Sequence, residues 1–312
     1  MSKQNGNSLQ KLAAALIRDE EIPLRRKNLP AETVRIIMRY GAIIGSDIEQ
    51  HTLLPRGMEH ARHLVGLAEE QEKSFKSGTI ILADEMTLGK GRFQRPWFAP
   101  AGGLWCTLVL VNTLLPENTH LYPLAAGIAT CETMRRFNIP AHIKWVNDIH
   151  VQGRKLAGIL AETFTGPRYG EEYVLIGIGI NVNNTAFPDE LTDSAAAMKT
   201  LLGREMTLPA VTACLLAKLT WNIGLLHFME ADRLEKDDSR SGSSGAGGRL
   251  LIENWRQLSD TLHRDVLFGY DIQKNPQYRA RTIDINDDGG LLLEKQDGER
   301  VVERSGEIRY LA

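Results

Sequence analysis

The feature that most constrains the fold is a change of pattern after Gly78. Before it, apolar residues follow helical spacing, as in residues 58–75, whereas after it they come in short runs bounded by glycine, asparagine and aspartate. Runs of this length with such boundaries predict buried strands. We predict five strands in the middle of the chain, with a helix between the second and third and further helices after the fifth. The predicted strands cover residues 79–83, 103–111, 142–145, 155–162 and 173–183.

The two ends of the chain differ from this middle part. The last fifty residues hold short apolar segments broken by Asn-Asp-Asp-Gly-Gly and Asp-Gly turns, which is typical of a small β-barrel. Residues 1–28 are polar and predict one helix with a linker, and Asn28 with Pro30 predicts the start of the next helix. Residues 235–248 are rich in serine and glycine and predict a flexible insert. We therefore predict an N-terminal helical extension (1–28), a main catalytic domain (29–262) and a C-terminal β domain (263–312).

Composition argues against several classes of protein. The 37 Lys+Arg against 39 Asp+Glu give a net charge of −2, unlike a dedicated nucleic-acid binder. No uncharged apolar run approaches the roughly 18 residues of a membrane span. The widely separated Cys106, Cys131 and Cys214 form no CxxC pair, which predicts reduced, mostly buried thiols in a cytoplasmic protein. His60 and His63 share a predicted helix face, but because no third ligand is evident we interpret them as surface histidines.

A basic loop rich in glycine follows the first predicted strand. It runs from Gly89 to Trp97 and reads Gly-Lys-Gly-Arg-Phe-Gln-Arg-Pro-Trp. Its glycines let the backbone approach a ligand, and Lys90, Arg92 and Arg95 suit a phosphate or a carboxylate. The loop is neither a Walker loop nor a Rossmann fingerprint, so on this loop alone a solvated basic turn is the favoured interpretation.

Two further segments place polar groups at the ends of predicted strands. Lys144-Trp145-Val146-Asn147-Asp148 ends in an amide and a carboxylate, which are oxygen ligands suited to a magnesium ion that carries nucleotide phosphates. Lys155 then enters an apolar segment, where a lone ammonium needs an anion; a turn with this lysine at its solvent edge is the alternative. Residues 177–183 place Asn181 beside two glycines, which indicates either room for a nucleotide or close strand packing.

Taken together and in this order, these segments resemble the biotin protein ligase family. The resemblance covers that family's GRGRxGRxW loop at residues 89–97, its KWPND at 144–148, its KLAGIL at 155–160 and its GIGIN at 177–181. It implies an α+β fold, with a class II synthetase-like biotin/lipoate ligase catalytic domain, in which helices flank a mixed sheet, and a small C-terminal SH3-like β-barrel. Some members act as repressors through an N-terminal DNA-binding domain, and 28 residues are too few for one. We therefore expect a ligase without that role.

The resemblance implies a two-step reaction. Biotin and MgATP give biotinoyl-5′-AMP and pyrophosphate, and a lysine of a biotin carboxyl carrier domain then attacks the mixed anhydride. Arg92 and Lys155 are the expected catalytic residues, Asp148 the expected magnesium ligand, and Asn147 and Asn181 further contacts of ATP. The partners implied are the carrier domain and the two small substrates, with neither DNA nor a membrane, and a homodimer is left open. The residues expected to contact the acid or its adenylate are Arg56, Gly57, Met58, Met86, Gly89, Lys90, Gly91, Arg92, Arg95, Trp97, Lys155 and Gly158.

The predicted acid pocket departs from the family pattern. Arg56-Gly57-Met58 stands where the family has Ser-Thr-Asn at the start of its first catalytic helix, and Met86 stands for a glutamine. Losing polar contacts to the ureido ring of biotin lowers affinity, because buried polar groups are then left unpaired. Two alternatives therefore remain: a related ligase for lipoate or another short acid, and a non-catalytic adenylate or nucleotide sensor. The remaining departures are Lys90 for Arg, Gln94 for Gly and Val146 for Pro.

Overall fold

Two sheets make up the β-structure of this chain in the computed structural model, which describes residues 2–237 and 246–311. The larger sheet has seven strands, and helices flank it, so the predicted α+β class is confirmed. Its strands are β1 (Ile48–Leu54), β2 (Thr79–Met86), β3 (Leu104–Val111), β4 (His142–Lys144), β5 (Asp148–Val151), β6 (Arg154–Thr165) and β7 (Glu172–Ile180).

The larger sheet is mixed and has the strand order β1-β2-β3-β7-β6-β5-β4. β1 pairs parallel to β2, and the other pairs are antiparallel. The five predicted strands correspond to β2, β3, β4, β6 and β7, whereas β1 and β5 were not predicted. Asp148, which the sequence placed in a turn, is the first residue of β5, because it pairs with Lys144 on one side and Gly158 on the other.

Helices of very different lengths accompany this sheet. A π-helical turn, Ile17–Glu21, joins the first two, and short 3₁₀ helices occur at Arg92–Gln94, Pro116–Leu121 and Asp189–Leu191. The α-helices are α1 (Ser2–Leu16), α2 (Ile22–Arg25), α3 (Ala31–Gly41), α4 (Gly57–Glu70), α5 (Tyr122–Arg136), α6 (Met198–Leu202), α7 (Leu208–Asp237) and α8 (Ala246–Leu258).

The two faces of the larger sheet are covered differently. Side chains alternate between the faces along each strand. Ile80 and Ile176 lie on one face, in a large core shared with α5 and α7. Ile81 and Trp105 lie on the other face, in a smaller core that includes Met58 at the start of α4. Since α4 is the helix of this second core, the rest of that face is left to loops, and the predicted site residues gather there.

The N-terminal segment is more helical than predicted and is tied to the main core. Leu9 of α1 is buried there. Lys218 Nζ of α7 lies 2.5 Å from the Glu21 carboxylate, and both side chains are less than one tenth exposed. α3 begins after Pro30, which occupies the N-cap position without a side-chain hydrogen bond. The predicted cap by Asn28 is therefore wrong, since the proline itself supplies the extended residue that precedes the helix.

The long helix α7 lies at the centre of the main core. Residues 208–235 are long and apolar enough to cross a membrane by length and composition, with a mean hydropathy of 1.3. Because 83% of that stretch's most apolar window is buried in the structure, we interpret it as a core helix. Of the flexible insert predicted at residues 235–248, residues 238–245 lie outside the described residues, and the remaining ones belong to the ends of α7 and α8.

The smaller sheet contains the C-terminal strands. All its pairs are antiparallel, and Phe268, Leu291 and Leu293 are buried in it. This arrangement fits the SH3-like domain implied by the resemblance. Its last strand, which follows Ser305, was not predicted. The strands are β8 (Asp265–Asp271), β9 (Asn275–Ile285), β10 (Leu291–Lys295), β11 (Arg300–Glu303) and β12 (Glu307–Tyr310), in the order β11-β10-β9-β8-β12.

Candidate active site

The basic loop folds back on itself as a narrow hairpin. The Trp97 N–H donates to the Gly89 carbonyl at 2.8 Å, and the Gly91 N–H donates to the Arg95 carbonyl at 2.9 Å. At the tip, Gln94 has a φ of 60°, in the left-handed region. Glycine adopts this conformation freely, whereas another residue loses about 1–2 kcal/mol. Gln94 stands where the family that this loop resembles has glycine, so the turn of this loop carries a conformational cost.

Two glycines on neighbouring strands form a floor beneath this loop. Gly158 of β6 lies opposite Gly179 of β7. A Cβ atom would lie 3.1 Å from the Trp97 ring at Gly158 and 2.8 Å from it at Gly179, so the indole lies directly on both. Its Nε1 is buried and has no hydrogen-bond partner among the described residues. We call Gly158 and Gly179 the glycine floor; only residues without side chains leave room for the indole.

The start of α4 lies beside the glycine floor. A Cβ atom at Gly177 would lie 3.3 Å from the Met58 sulfur, so Met58 covers the next glycine along β7. Gly57 packs so closely on Thr107 of β3 that a side chain would overlap the threonine hydroxyl. The structure thus brings two of the predicted acid-contacting residues to the same face as the glycine floor.

Arg56 and Met86 complete this end of the site. Arg56 precedes α4 and donates to the Glu162 carboxylate at 2.8 Å, with a side chain that is 11% exposed. Arg62 binds the other oxygen of Glu162 at 2.5 Å. Met86 is half-buried and packs against the small core that contains Met58. The charge of Arg56 is therefore neutralised by protein groups, and two methionines contribute apolar surface.

Charged groups gather on the other side of Trp97. Lys155 Nζ lies 2.6 Å from the Asp148 carboxylate and 5.2 Å from the centre of the Trp97 ring. Lys144 Nζ lies 5.3 Å from the centre of the Tyr310 ring. Burial lowers the pKa of Lys144, and the charge of Lys155 lowers it further, although Asp148 acts in the opposite direction. Lys155 is paired with Asp148, and Lys144 is close enough to be affected by both charges, so an incoming anion would stabilise this group.

Arg92 approaches the same group from the basic loop. Its guanidinium donates to the Asn147 amide oxygen at 3.4 Å, a long hydrogen bond, and lies 5.0 Å from the centre of the Phe93 ring. Burial lowers the pKa of Arg92, while the charges of Glu307 and Asp148 act in the opposite direction. Asn147 is held in place because its amide nitrogen donates to the Ile159 carbonyl. Arg92 is thus weakly bound by protein groups and adjacent to the lysine pair.

Arg95 and Lys90 have other partners. Arg95 donates two hydrogen bonds to Glu307 of β12, at 2.7 and 2.8 Å, and also binds Asp271 of β8. Lys90 is exposed and donates to the Gln94 side chain at 3.0 Å. Arg95 therefore fastens the basic loop to the C-terminal sheet, and its predicted contact with an adenylate stays a prediction.

Asn181 lies at the end of β7 and is buried. Its amide oxygen accepts a hydrogen bond from Asn184 at 2.8 Å, and its backbone N–H donates to the Leu156 carbonyl at 3.0 Å. The Asn184 oxygen in turn accepts from the Val182 N–H. The Asn181 oxygen thus belongs to an internal network that shapes the strand end, and its contact with ATP also stays a prediction.

Comparison with known proteins identifies the family. The sequence model of the biotin/lipoate A/B protein ligase family matches residues 65–183. The bifunctional ligase/repressor BirA of Bacillus subtilis is 32% identical over 260 residues, which cover 82% of this chain and 72% of that protein. This chain belongs to the biotin protein ligase family. The prediction from the four ordered motifs is confirmed.

Other relatives agree with this membership. The biotin--[acetyl-CoA-carboxylase] ligase of Mycobacterium tuberculosis is 28% identical over 240 residues, covering 75% of this chain and 79% of that protein. The chain spans 63 to 72% of the length of the ligase/repressor relatives that it matches in Bacillus and Escherichia coli. The fold is shared with the biotin protein ligase of Aquifex aeolicus in complex with biotin and ATP, at a TM-score of 0.65 and 21% identity. That match covers 85% of this chain and 99% of the other.

Several residues of this site were missed by sequence reasoning. Lys144 stands inside the KWVND motif, so its motif position was a usable signal. Glu162 stands only two residues beyond the KLAGIL motif, but nothing in the sequence pairs it with Arg56. Asp271 and Glu307 come 176 and 212 residues after Arg95 and carry no local signal at all. Only the docking of the C-terminal sheet reveals them.

Proposed function

We propose that this protein is an ATP-dependent biotin protein ligase. It forms biotinoyl-5′-AMP from biotin and ATP, and then transfers biotin to a lysine of a biotin carboxyl carrier domain in the cytoplasm. The observation that carries the proposal is the ion pair of Lys155 with Asp148 at the edge of the glycine floor, with Arg92 hydrogen-bonded to the neighbouring Asn147. Membership of the family and the names of its relatives support the same activity.

The first step joins two anions. A carboxylate oxygen of the acid attacks the α-phosphorus of ATP, an O–P bond forms, and the bond to the β-phosphate breaks with its electron pair leaving on pyrophosphate. Fixed cations stabilise the charge that develops between the two groups. Lys155 is positioned for this role because Asp148 holds its ammonium, and Arg92 can turn from its long bond with Asn147 towards a phosphate.

In the second step the uncharged amine of the carrier lysine attacks the acyl carbon. An amide bond forms, the bond from that carbon to the AMP oxygen breaks, and AMP leaves with the electron pair while the amine gives up a proton. Water must be kept from the same carbon until then. Trp97 on the glycine floor, with its loop fastened by Arg95, supplies a cover that limits hydrolysis of the adenylate.

Asp148 fits a magnesium ion that arrives with ATP. Its carboxylate is half-buried and lies 2.6 Å from an ammonium group, so the site offers a single carboxylate within a positive surrounding. Magnesium in nucleotide sites is held by one or two carboxylates together with substrate phosphates. The ion, when bound, neutralises phosphate charge, and Asp148 would hold it while Lys155 and Arg92 bind the phosphates.

A second candidate function is a related ligase for another carboxylic acid. Met58 and Met86 contribute apolar surface beside the glycine floor, and Glu162 neutralises Arg56. Such a wall favours an acid without a ureido ring, such as lipoate or octanoate, because it offers few hydrogen bonds to polar ring atoms. The adenylating residues are the same for both candidates.

Pyrophosphate release with a panel of acids tests both candidates. Biotin, lipoate and octanoate are each supplied with MgATP, with and without a biotin carrier domain and its variant lacking the target lysine. Turnover with biotin, together with labelling of the intact carrier but not of the variant without the target lysine, supports the biotin ligase. Turnover only with another acid contradicts it and supports the second candidate. No ATP consumption with any acid would refute both and leave a nucleotide sensor.

A further inference from the structure

Two histidines and a glutamate meet between β1 and α4. Glu49 and His51 are two residues apart on β1, and His60 faces them from α4. The Glu49 carboxylate oxygen lies 3.3 Å from His51 Nε2 and 3.6 Å from His60 Nε2. The two imidazole rings meet edge to face, with centroids 4.5 Å apart. One possible ligand atom from each residue thus converges on one place, all within 4.8 Å of one another.

Two of these spacings are close to the edge length of a tetrahedral zinc site. Zinc binds imidazole nitrogen at about 2.0–2.1 Å and carboxylate oxygen at about 2.0–2.2 Å. In a tetrahedron with such bonds, neighbouring ligand atoms are about 3.3–3.5 Å apart. The two measured distances to the Glu49 oxygen lie within a few tenths of an ångström of that value, and the possible ligand atoms of the two histidines lie within 4.8 Å of each other.

Hydrogen bonding alone leaves this cluster incomplete. The His51 ring is within hydrogen-bond distance of Glu49. His60 Nε2, however, is buried and has no hydrogen-bond partner among residues 2–237 and 246–311. A buried polar atom without a partner is unusual in a folded protein. A metal ion between the three side chains would supply its partner.

The cluster lies near the surface of the protein. The side chains of His51, Glu49 and His60 are 28%, 36% and 22% exposed, although His60 Nε2 itself is buried.

We propose that Glu49, His51 and His60 form a binding site for Zn²⁺, with water as the fourth ligand. The ligands flank the connection between β1 and α4, which carries Arg56 and leads into Gly57 and Met58 at the start of the helix. A bound ion would therefore fasten the edge strand to the helix and fix the conformation of that connection. The site stands on residues outside the adenylating group, so it holds whichever acid the protein uses.

Zinc binding to the whole, tag-free chain tests this proposal. The protein is treated with a chelator, desalted and titrated with Zn²⁺ by calorimetry, and Co²⁺ is used as a spectroscopic probe of four-coordinate geometry. We expect one equivalent to bind and to raise the melting temperature. His51→Gln, His60→Gln and Glu49→Gln should each weaken binding by at least about 100-fold, since even the loss of groups outside a metal's ligands lowers affinity 10–100-fold.

His63→Gln is the matched control, because His63 lies on the same helix one turn from His60 but outside the cluster. It should leave zinc affinity and the cobalt spectrum unchanged. Circular dichroism of each variant separates lost ligands from lost fold. Equal zinc affinity in all variants, loss of binding in His63→Gln, or no zinc bound at about 100 µM would each overturn the proposal. The last result would leave an ordinary hydrogen bond between His51 and Glu49.

Discussion

Replacing Lys155 by alanine should abolish adenylate formation and leave the fold intact. Its ion pair with Asp148 is 2.6 Å long, but the side chain is 38% exposed, so the pair contributes at most about 1 kcal/mol to stability. In the proposed reaction, the same ammonium would face the charge that develops between the acid and the α-phosphate. A preorganised group in that position contributes about 3–4 kcal/mol to transition-state stabilisation, or about 10²–10³ in rate. The substitution therefore separates catalysis from stability.

Pyrophosphate release at saturating acid and ATP measures kcat, and urea unfolding measures the free energy of unfolding. Lys199→Ala is the matched control, because Lys199 is also 38% exposed and also forms an ion pair, 2.8 Å from Glu205. We expect kcat to fall about 100–1000-fold in Lys155→Ala alone, with both variants within about 1 kcal/mol of the parent in unfolding. If Lys155→Ala keeps more than about a tenth of the rate, the ammonium does not act in the transition state.

Three further substitutions test other parts of the structure. Gly179→Ala places a Cβ 2.8 Å from the indole on the glycine floor, and such overpacking costs about 1–3 kcal/mol, so adenylation efficiency should fall about 5–150-fold. The control is Gly177→Ala, whose Cβ meets the flexible end of a methionine at 3.3 Å and which should keep the efficiency of the parent. Equal efficiencies for the two variants would contradict this account. Glu21→Gln leaves a buried lysine without its carboxylate and should lower the urea unfolding free energy by about 3–5 kcal/mol; a change below about 1 kcal/mol would refute the buried pair. Burial alone would raise the pKa of Asp260, but hydrogen bonds, including one from Tyr310 at 2.7 Å, hold it below 3.8. That carboxylate's contribution is present above pH 3.8 and is lost as the pH falls through the folded pKa, so Tyr310→Phe should move acid unfolding, followed by circular dichroism, to higher pH. An unchanged acid midpoint would show that this bond does not stabilise the carboxylate.

Three of the five strands predicted in the middle of the chain are largely buried on both faces. β2, β3 and β7 are continuous apolar runs, because helices or loops cover them on each side. β1 was missed because it is an edge strand whose middle residues are half-buried or exposed, and so it shows no apolar run. β5 was missed because it is four residues long and begins inside an Asn-Asp pair that is typical of turns.

The candidate site was predictable where its residues lie within short continuous sequence motifs. Arg92, Asp148 and Lys155 stand in motifs at strand ends, and the sheet brings those ends together. Contacts between distant segments leave no local pattern, so the partners of Arg95 and the approach of His51 to His60 required the fold. The interpretation of His60 as a surface histidine without a third ligand followed from missing β1. The expectations of no DNA binding, no membrane partner and a cytoplasmic location stay predictions. Whether the protein forms a homodimer stays an open question.

The contacts of Arg95 with Glu307 and Asp271 join the basic loop to the C-terminal sheet. The free energy that orders the basic loop is shared with the free energy that seats this sheet, because the same guanidinium belongs to both. Thermodynamic linkage is reciprocal. If the basic loop binds the adenylate as proposed, a ligand that orders the loop would also strengthen the docking of the C-terminal sheet, and a change that weakens that docking would weaken ligand binding.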